Sequence, residues 1–333
     1  VRGVTSKRCE EETAVTPTSP FELFSTPDYN SATLRMEDFM LRRIGIIALS
    51  FLILLAGIIL VLALVTPRAA DYPFFDQARP LVIAHQGGEQ LRPSNTMPAF
   101  ENAVALGVDV LEMDIHSTQD GVLVVMHDDT VDRTTDGNGR IQDLTLAQIK
   151  QLDAGYYWTD DEGQTYPYRG QGITVPTLEE VFAAFPDMPM NIEIKQSDPS
   201  IVQTFCDLLE QYDMRDQVLI PSFHPDTMVE FREKCPGVAS SMTEPEIRRF
   251  FVLNTLHLGR LFGPPGEAFQ VPEYSGSLHV VTDRFVTGAH ERNIDVHVWT
   301  VNDPADMQRL IDLGVDGIIT DRPDLLLEVL GRR

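Results

Sequence analysis

The chain has 333 residues, with 26 Lys and Arg against 50 Asp and Glu, for a formal charge of −24 and a pI near 4.6. That length suits one large domain or two small ones, and the acidic balance excludes nucleic acid and an anionic membrane surface as principal partners. An anionic substrate must meet local positive charge, from a bound cation or a few basic side chains.

Residues 1–35 carry Thr, Ser, Pro and Glu without apolar periodicity and read as disordered, within an N-terminal segment that runs to residue 43. The chain opens on Val1, and Met36 or Met40 is the expected natural start, placing Arg42 and Arg43 in a short basic stretch. Ile44 to Val65 contains no charged residue, long enough at ~1.5 Å per residue to cross a ~30 Å hydrocarbon core. Arg35, Arg42 and Arg43 before it against Arg68 after it favour a single-pass anchor with a cytoplasmic N-terminus and the following domain outside the cytoplasm. A signal peptide cleaved near Arg68-Ala-Ala is the rival. The apolar core of such a peptide is ~7–15 residues, shorter than this run, so the uncleaved anchor is favoured.

After a linker over residues 66–80, strand-like runs alternate with helical patterns. The predicted strands are Leu81–His85, Val110–His116, Met190–Lys195, Val218–Ser222, Val238–Met242, Phe269–Val271, Val296–Val301 and Gly317–Thr320. Predicted helices cover Thr96–Leu106, Thr177–Phe185, Ile201–Tyr212, Pro225–Lys234, Pro245–Thr255, Thr282–Arg292, Pro304–Leu313 and Asp324–Leu330. Alternating units of this kind predict a (β/α)8 TIM barrel over residues 81–333. A doubly wound sheet is the rival, but no G-x-G-x-x-G follows the first strand. In a barrel the site lies at the C-terminal strand ends, where His85, Asp114, Lys195, Ser222 and Trp299 fall. Asp120-Gly121 reads as a hairpin turn whose return strand, Val122–His127, brings His127 toward the same mouth. Leu253–Gly276, with Gly263-Pro-Pro-Gly266, reads either as an exposed apolar flap or as a segment packed on the barrel.

Strand side chains alternate faces, so Glu112 and Asp114 share a face opposite Leu111, Met113 and Ile115. Glu193 and Lys195 repeat the pattern opposite Ile192 and Ile194. Burying a carboxylate costs several kcal/mol unless it is paired, hydrogen-bonded or on a metal. Glu112, Asp114 and Glu193 are therefore candidate ligands of a hard cation, Mg²⁺ or Ca²⁺, because no Cys or His cluster at ligand spacing accompanies them. Their alternative is ion-paired strand carboxylates. Cys9, Cys206 and Cys235 show no C-x-x-C spacing, and Cys206 and Cys235 read as buried thiols.

These residues resemble the glycerophosphodiester phosphodiesterase family of (β/α)8 barrels. The matching elements are His85-Gln-Gly-Gly88, Pro93-Ser-Asn-Thr96, Glu112-Met-Asp114, Asp120-Gly121, His127-Asp128 and Asp132-Arg-Thr-Thr135. Asn191-Ile-Glu-Ile-Lys195, Ser222-Phe223, Val298-Trp-Thr-Val-Asn302 and Asp316-Gly-Ile-Ile-Thr-Asp321 follow, so the likeness spans roughly Leu81 to Leu330. Gln86 stands where the family has arginine, offering a neutral amide instead of a charged phosphate clamp. Ser94 stands where the family has glutamate.

The resemblance implies metal-dependent hydrolysis of glycerophosphodiesters to glycerol 3-phosphate and an alcohol. His85 and His127 would exchange protons with the attacking and leaving oxygens, and a hydroxyl of the substrate's own glycerol would attack phosphorus. Gln86, Lys195 and Trp299 are the candidate substrate or phosphate contacts; Lys195 could instead only pair with a carboxylate, and Trp299 could be core. His116 reads as structural, and Arg133 and Arg169 as loop residues. Self-attack admits a glycerophosphodiester or a lysophospholipid and refuses a diacyl phospholipid. Alternatives to the phosphodiesterase are a lysophospholipase D, a non-catalytic phosphodiester-binding barrel and a barrel glycosidase.

Overall fold

A computed structural model of the chain describes residues 29–332; of the segment expected to be disordered, residues 1–28 lie outside the described part, and residues 29–43 are helical instead. The first helix, α1, spans Tyr29–Val65. Its Arg35–Val65 portion is long and apolar enough to cross a membrane, a test that a signal sequence near the N-terminus also passes. The helix starts well before the predicted span from Ile44. Met36, Glu37, Met40 and Leu41 are strong helix formers with no Gly or Pro among them, so the ladder nucleated by the apolar run propagates backward.

Internal contacts divide the chain at Ile58, and the unit beginning at Ile59 contains the barrel. In chain order it comprises β1 (Leu81–Ala84), α2 (Met97–Leu106), β2 (Val110–Ser117), β3 (Leu123–Val125), α3 (Leu146–Ile149), α4 (Leu178–Ala184), β4 (Met190–Ile194), α5 (Val202–Gln211), β5 (Val218–Ile220) and α6 (Pro225–Lys234). It continues with β6 (Ala239–Ser240), α7 (Glu244–Thr255), β7 (Ala268–Pro272), the hairpin β8 (Tyr274–Ser275) and β9 (Leu278–His279), α8 (Asp283–His290), β10 (Asp295–Trp299), α9 (Pro304–Leu313), β11 (Gly317–Thr320) and α10 (Pro323–Val329). The parallel strands run β6-β5-β4-β2-β1-β11-β10-β7, and a Ser241–Ala268 bridge closes the circle. Local chemistry agrees with these boundaries. Thr177 caps α4 in a reciprocal box with Glu180, Asp303 accepts from the amides of Ala305 and Asp306 at the start of α9, and Gly314 ends that helix at φ 85°.

Leu81, Ile83, Val110, Leu219, Ala239 and Ile319 fill the lower barrel interior, and Phe74 closes it from below. The outward strand faces pack on the helices in a larger cluster that includes Phe205, Phe231, Phe250 and Phe269. β3 pairs antiparallel with β2, Ile115 opposite Val125, as the Asp120-Gly121 turn predicts.

Residues 66–80 are not a free linker. The Ala69 amide donates to Arg292 O at 2.9 Å, and the buried Arg292 side chain donates to the carbonyls of Thr66, Pro67 and Phe262. A buried guanidinium needs several acceptors, and this stretch supplies two of them. Beside it Arg79 Nη1 bridges Asp295 (2.9 Å) and Asp316 (3.0 Å), and His290 Nε2 lies 2.8 Å from Asp316 Oδ2.

One further expectation changes, and one open alternative is decided. Cys206 on α5 and Cys235 after α6 form a disulfide with Cα atoms 5.7 Å apart, because packing of Phe205 on Phe231 draws the two helices together; thiol spacing in the chain carries no such information. Of the two readings of Leu253–Gly276, packing on the barrel holds for Phe262, which is 1 % exposed and lies against Phe250 and Phe269, while Leu256 stays exposed. Tyr274 and Leu278 on the β8–β9 hairpin are exposed as well.

Candidate active site

The β2–β4 register sets Asp114 beside Glu193 and Glu112 beside Asn191. Both pairs point into the barrel, with Asp114 and Glu193 in the C-terminal half of their strands. One oxygen from each of Glu112, Asp114 and Glu193 lies within 4.8 Å of the others. Each carboxylate is oriented by the chain itself. Gln86 N donates to Glu112 Oε2 at 2.7 Å, Asn95 Nδ2 donates to Asp114 Oδ2 at 3.0 Å, and Lys195 Nζ sits 3.0 Å from Glu193 Oε2 and 3.3 Å from Asp114 Oδ1. Asp114 Oδ1 and Glu193 Oε1 nevertheless remain buried without a hydrogen-bond partner.

Burial, reinforced by the Asp114 charge, pushes Glu112 well above the ordinary carboxylate range; burial does the same to Glu193, opposed by Lys195. Burial opposes the Lys195 ammonium too, but Asp114 and Glu193 outweigh it and hold it up. Three carboxylates against one ammonium leave a formal charge of −2. Buried oxygens lacking partners and an excess of two negative charges fit a divalent, oxygen-loving cation.

The Gln86 amide reaches Glu112 because the turn after β1 is left-handed, with Gln86 at φ 51° and Gly87 at φ 81°. A Cβ on Gly87 would come within 2.7 Å of the Ala99 Cβ, so this close approach requires glycine.

Two histidines flank the trio. His85 Nδ1 lies 2.6 Å from Asp321 Oδ1, and Asp321 Oδ2 accepts from Asn302 Nδ2 at 2.7 Å. Burial of the His85 ring opposes its charged form, but Glu112 and the Asp321 hydrogen bond outweigh it and hold the imidazolium up to about 9. His127 Nδ1 lies 2.8 Å from Asp128 Oδ1, and Arg133 Nε donates to Asp128 Oδ2 at 2.7 Å. Each ring thus turns its Nε2 away from an orienting carboxylate. His116 is buried, with Nε2 3.3 Å from the His127 carbonyl, and burial lowers its pKa; its role is to hold the His127 main chain.

His85, Glu112, His127, Glu193, Lys195 and Trp299 line one cavity of about 690 Å³ at the C-terminal strand ends. Asp114 is 1 % exposed, behind the other two carboxylates. Gln86 is 2 % exposed and does not line the cavity; its amide oxygen has no partner. Arg169 is stacked on Tyr156 and Tyr166 in its loop, away from the trio. Sequence reasoning passed over the orienting residues Asp321, Asn302, Asp128 and Asn95. All four stand within the motifs quoted above, and only their contacts assign them work.

A family model for the glycerophosphoryl diester phosphodiesterase family matches residues 85–325. The chain belongs to that family. This phosphodiesterase is 35% identical over 259 residues to a glycerophosphodiester phosphodiesterase from Caldanaerobacter subterraneus subsp. tengcongensis, covering 75% of this chain and 97% of the relative. It is 29% identical over 279 residues to a lysophospholipase D from Rattus norvegicus, covering 74% of this chain and 85% of that one. Among solved structures, a phosphodiesterase from Oleispira antarctica in complex with the product sn-glycerol-3-phosphate aligns with TM-score 0.62 and 26% identity, over 76% of this chain and 97% of that one. The phosphodiesterase is a TIM barrel of this family.

Proposed function

We propose that this chain hydrolyses glycerophosphodiesters to glycerol 3-phosphate and an alcohol through a divalent cation and two histidines. The observation that carries this is one cavity lined by both His85 and His127 together with Glu112 and Glu193. Glu112, Asp114 and Glu193 hold the cation, Mg²⁺ or Ca²⁺, which when bound neutralises charge on a phosphoryl oxygen. One imidazole takes the proton of the free glycerol hydroxyl as its oxygen bonds to phosphorus; the other gives a proton to the leaving alcohol oxygen. Water then opens the resulting cyclic phosphate with the histidine roles reversed. Lys195 adds positive charge beside the phosphate, and Trp299 walls the glycerol. Gln86 acts through its backbone amide on Glu112, its buried side chain leaving any phosphate contact to Lys195.

Release of choline and glycerol 3-phosphate from glycerophosphocholine tests this. EDTA should abolish it, added Mg²⁺ or Ca²⁺ should restore it, and His85→Ala or His127→Ala should each cost about 10²–10⁴-fold in kcat. Activity that survives both EDTA and the histidine variants would overturn the mechanism.

Lysophospholipase D activity is a second reading, favoured by the apolar side of the cavity, where Ile247, Phe251 and Leu278 stand. A 1-acyl lysophospholipid keeps the free hydroxyl that self-attack requires. For location we propose an uncleaved anchor with the barrel outside the cytoplasm. The Cys206–Cys235 disulfide supports an oxidising compartment, as Arg42 and Arg43 ahead of the apolar run support an N-terminus inside. Protease added to intact cells should degrade the barrel while leaving cytoplasmic markers untouched.

A further inference from the structure

The inward positions of β2 and β4 form a square, with Glu112 opposite Asn191 and Asp114 opposite Glu193. Three corners are the acidic trio. The fourth, Asn191, is uncharged and 2 % exposed, and its Oδ1 accepts from Gln270 Nε2 of β7 at 2.8 Å. Both amides line the cavity that holds the histidines. A contact between two amides uses one donor and one acceptor, and whichever way the two planes are turned it leaves one of each. Among the described residues nothing bonds the remaining ends, Asn191 Nδ2 and Gln270 Oε1, and neither is sealed off from the cavity. Ala268, the next inward position below Gln270, and Leu219, paired with Asn191, are fully buried, so the amides stand at the closed end of the cavity.

The two free ends define what can sit there. A phosphoryl oxygen only accepts, and a cation takes only lone pairs; a hydroxyl donates and accepts through one atom. The headgroup alcohol varies in size and needs the open mouth, whereas the glycerol is the constant end of the substrate and suits the closed one. Its hydroxyl next to the phosphate is the nucleophile, which leaves the terminal hydroxyl without a partner. We infer that the Asn191–Gln270 pair grips this terminal hydroxyl, Asn191 Nδ2 donating to its oxygen and Gln270 Oε1 accepting its hydrogen; this deepens the phosphodiesterase reading above and rests on it. Asn191 and Gln270 are then specificity residues. An acyl or alkyl group on that oxygen removes the donated hydrogen and meets the closed end, so the pair selects the deacylated diester over a lysophospholipid.

Three phosphocholine diesters give the test, with choline release as readout: glycerophosphocholine, its 1-deoxy analogue, which keeps the attacking hydroxyl, and its 1-O-methyl ether. Wild-type kcat/KM should fall about 10–10²-fold from the first to the second, the scale of leaving buried polar ends unpaired, and at least as far to the third. Gln270→Met keeps the side-chain length but neither bonds Asn191 nor accepts from a hydroxyl. In that variant the preference for glycerophosphocholine over the deoxy analogue should shrink to about threefold or less. A thermal melt checks its fold, and if it does not fold, the three-substrate series in the wild type decides alone. Near-equal kcat/KM for glycerophosphocholine and the deoxy analogue in the wild type would mean that the pair holds only a water. An undiminished preference in Gln270→Met would mean that other groups read the hydroxyl. Either result overturns the grip. If the wild type turned over none of the three, the phosphodiesterase reading would be the one to fail. Calorimetry with glycerol 3-phosphate and its analogue lacking the terminal hydroxyl would still judge the pair: about tenfold tighter binding of the first supports it, and equal or absent binding removes it.

Discussion

His85 Nδ1 and Asp321 Oδ1 are 2.6 Å apart, joining the end of β1 to the end of β11, and Asn302 fixes the second oxygen of Asp321. This contact sets the ring's orientation, leaving Nε2 free for the cavity. Asp321→Ala should therefore lower kcat about 10–10²-fold with little change in KM. Its distinguishing sign is in the pH profile. Asp321 helps hold the His85 imidazolium up, so the limb belonging to His85 should move to lower pH in the variant. A profile that keeps its position would show that Asp321 only supports the fold.

The buried trio links cation binding to stability. Lys195 offsets only one of three carboxylates, and Asp114 Oδ1 and Glu193 Oε1 have no hydrogen-bond partner. A saturating divalent cation, at about 100 Kd, should stabilise the barrel by ~2.7 kcal/mol, read as a rise in Tm. Asp114→Asn should remove most of that rise. In the absence of the cation the same variant should be as stable as wild type or more so, because one buried charge has gone.

The disulfide closes the stretch from Cys206 to Cys235, a separation of 29 residues. Chain-entropy reasoning puts its contribution at about 3.6 kcal/mol. The Cys206→Ala/Cys235→Ala double variant should melt several degrees lower than oxidised wild type, and reductant should move the wild type toward the variant. A Tm unaffected by reductant would show that the pairing contributes nothing.

At the barrel base, the hydrogen bond to Asp316 raises the His290 pKa; burial raises that of Asp316, but the His290 hydrogen bond outweighs it and holds Asp316 low. A raised histidine contributes stability below its unfolded value near ~6.5 and loses it as pH climbs through the folded value. A depressed aspartate contributes above ~3.9 and loses it as pH falls through its folded value. The pair is thus most stabilising in mildly acidic solution. His290 is partly exposed, which keeps the term to about 1 kcal/mol or less. His290→Gln should lower Tm most near pH 5–6, and the gap from wild type should close as pH rises past 8.

Alternation along a strand is a local property, and so the inward face of Val110–Ser117 was legible in the chain: Glu112 and Asp114 cannot sit on the side of Leu111 and Met113. The same reasoning found Glu193 with Lys195, the Asp120-Gly121 hairpin that delivers His127, and all eight barrel strands to within a residue or two. Capping threonines and prolines started helices, and Gly107 and Gly314 ended α2 and α9, where local chemistry said they would. What stands opposite what was not local. Only the inter-strand ladder sets Asp114 beside Glu193, only barrel closure brings Asp321 from β11 to His85, and only helix packing joins Cys206 to Cys235. The exposure of apolar residues follows the same rule. Hydrophobicity marked Leu253–Phe262 as a whole, but packing buried Phe262 and left Leu256 in water, because the face a side chain shows depends on neighbours far away in sequence.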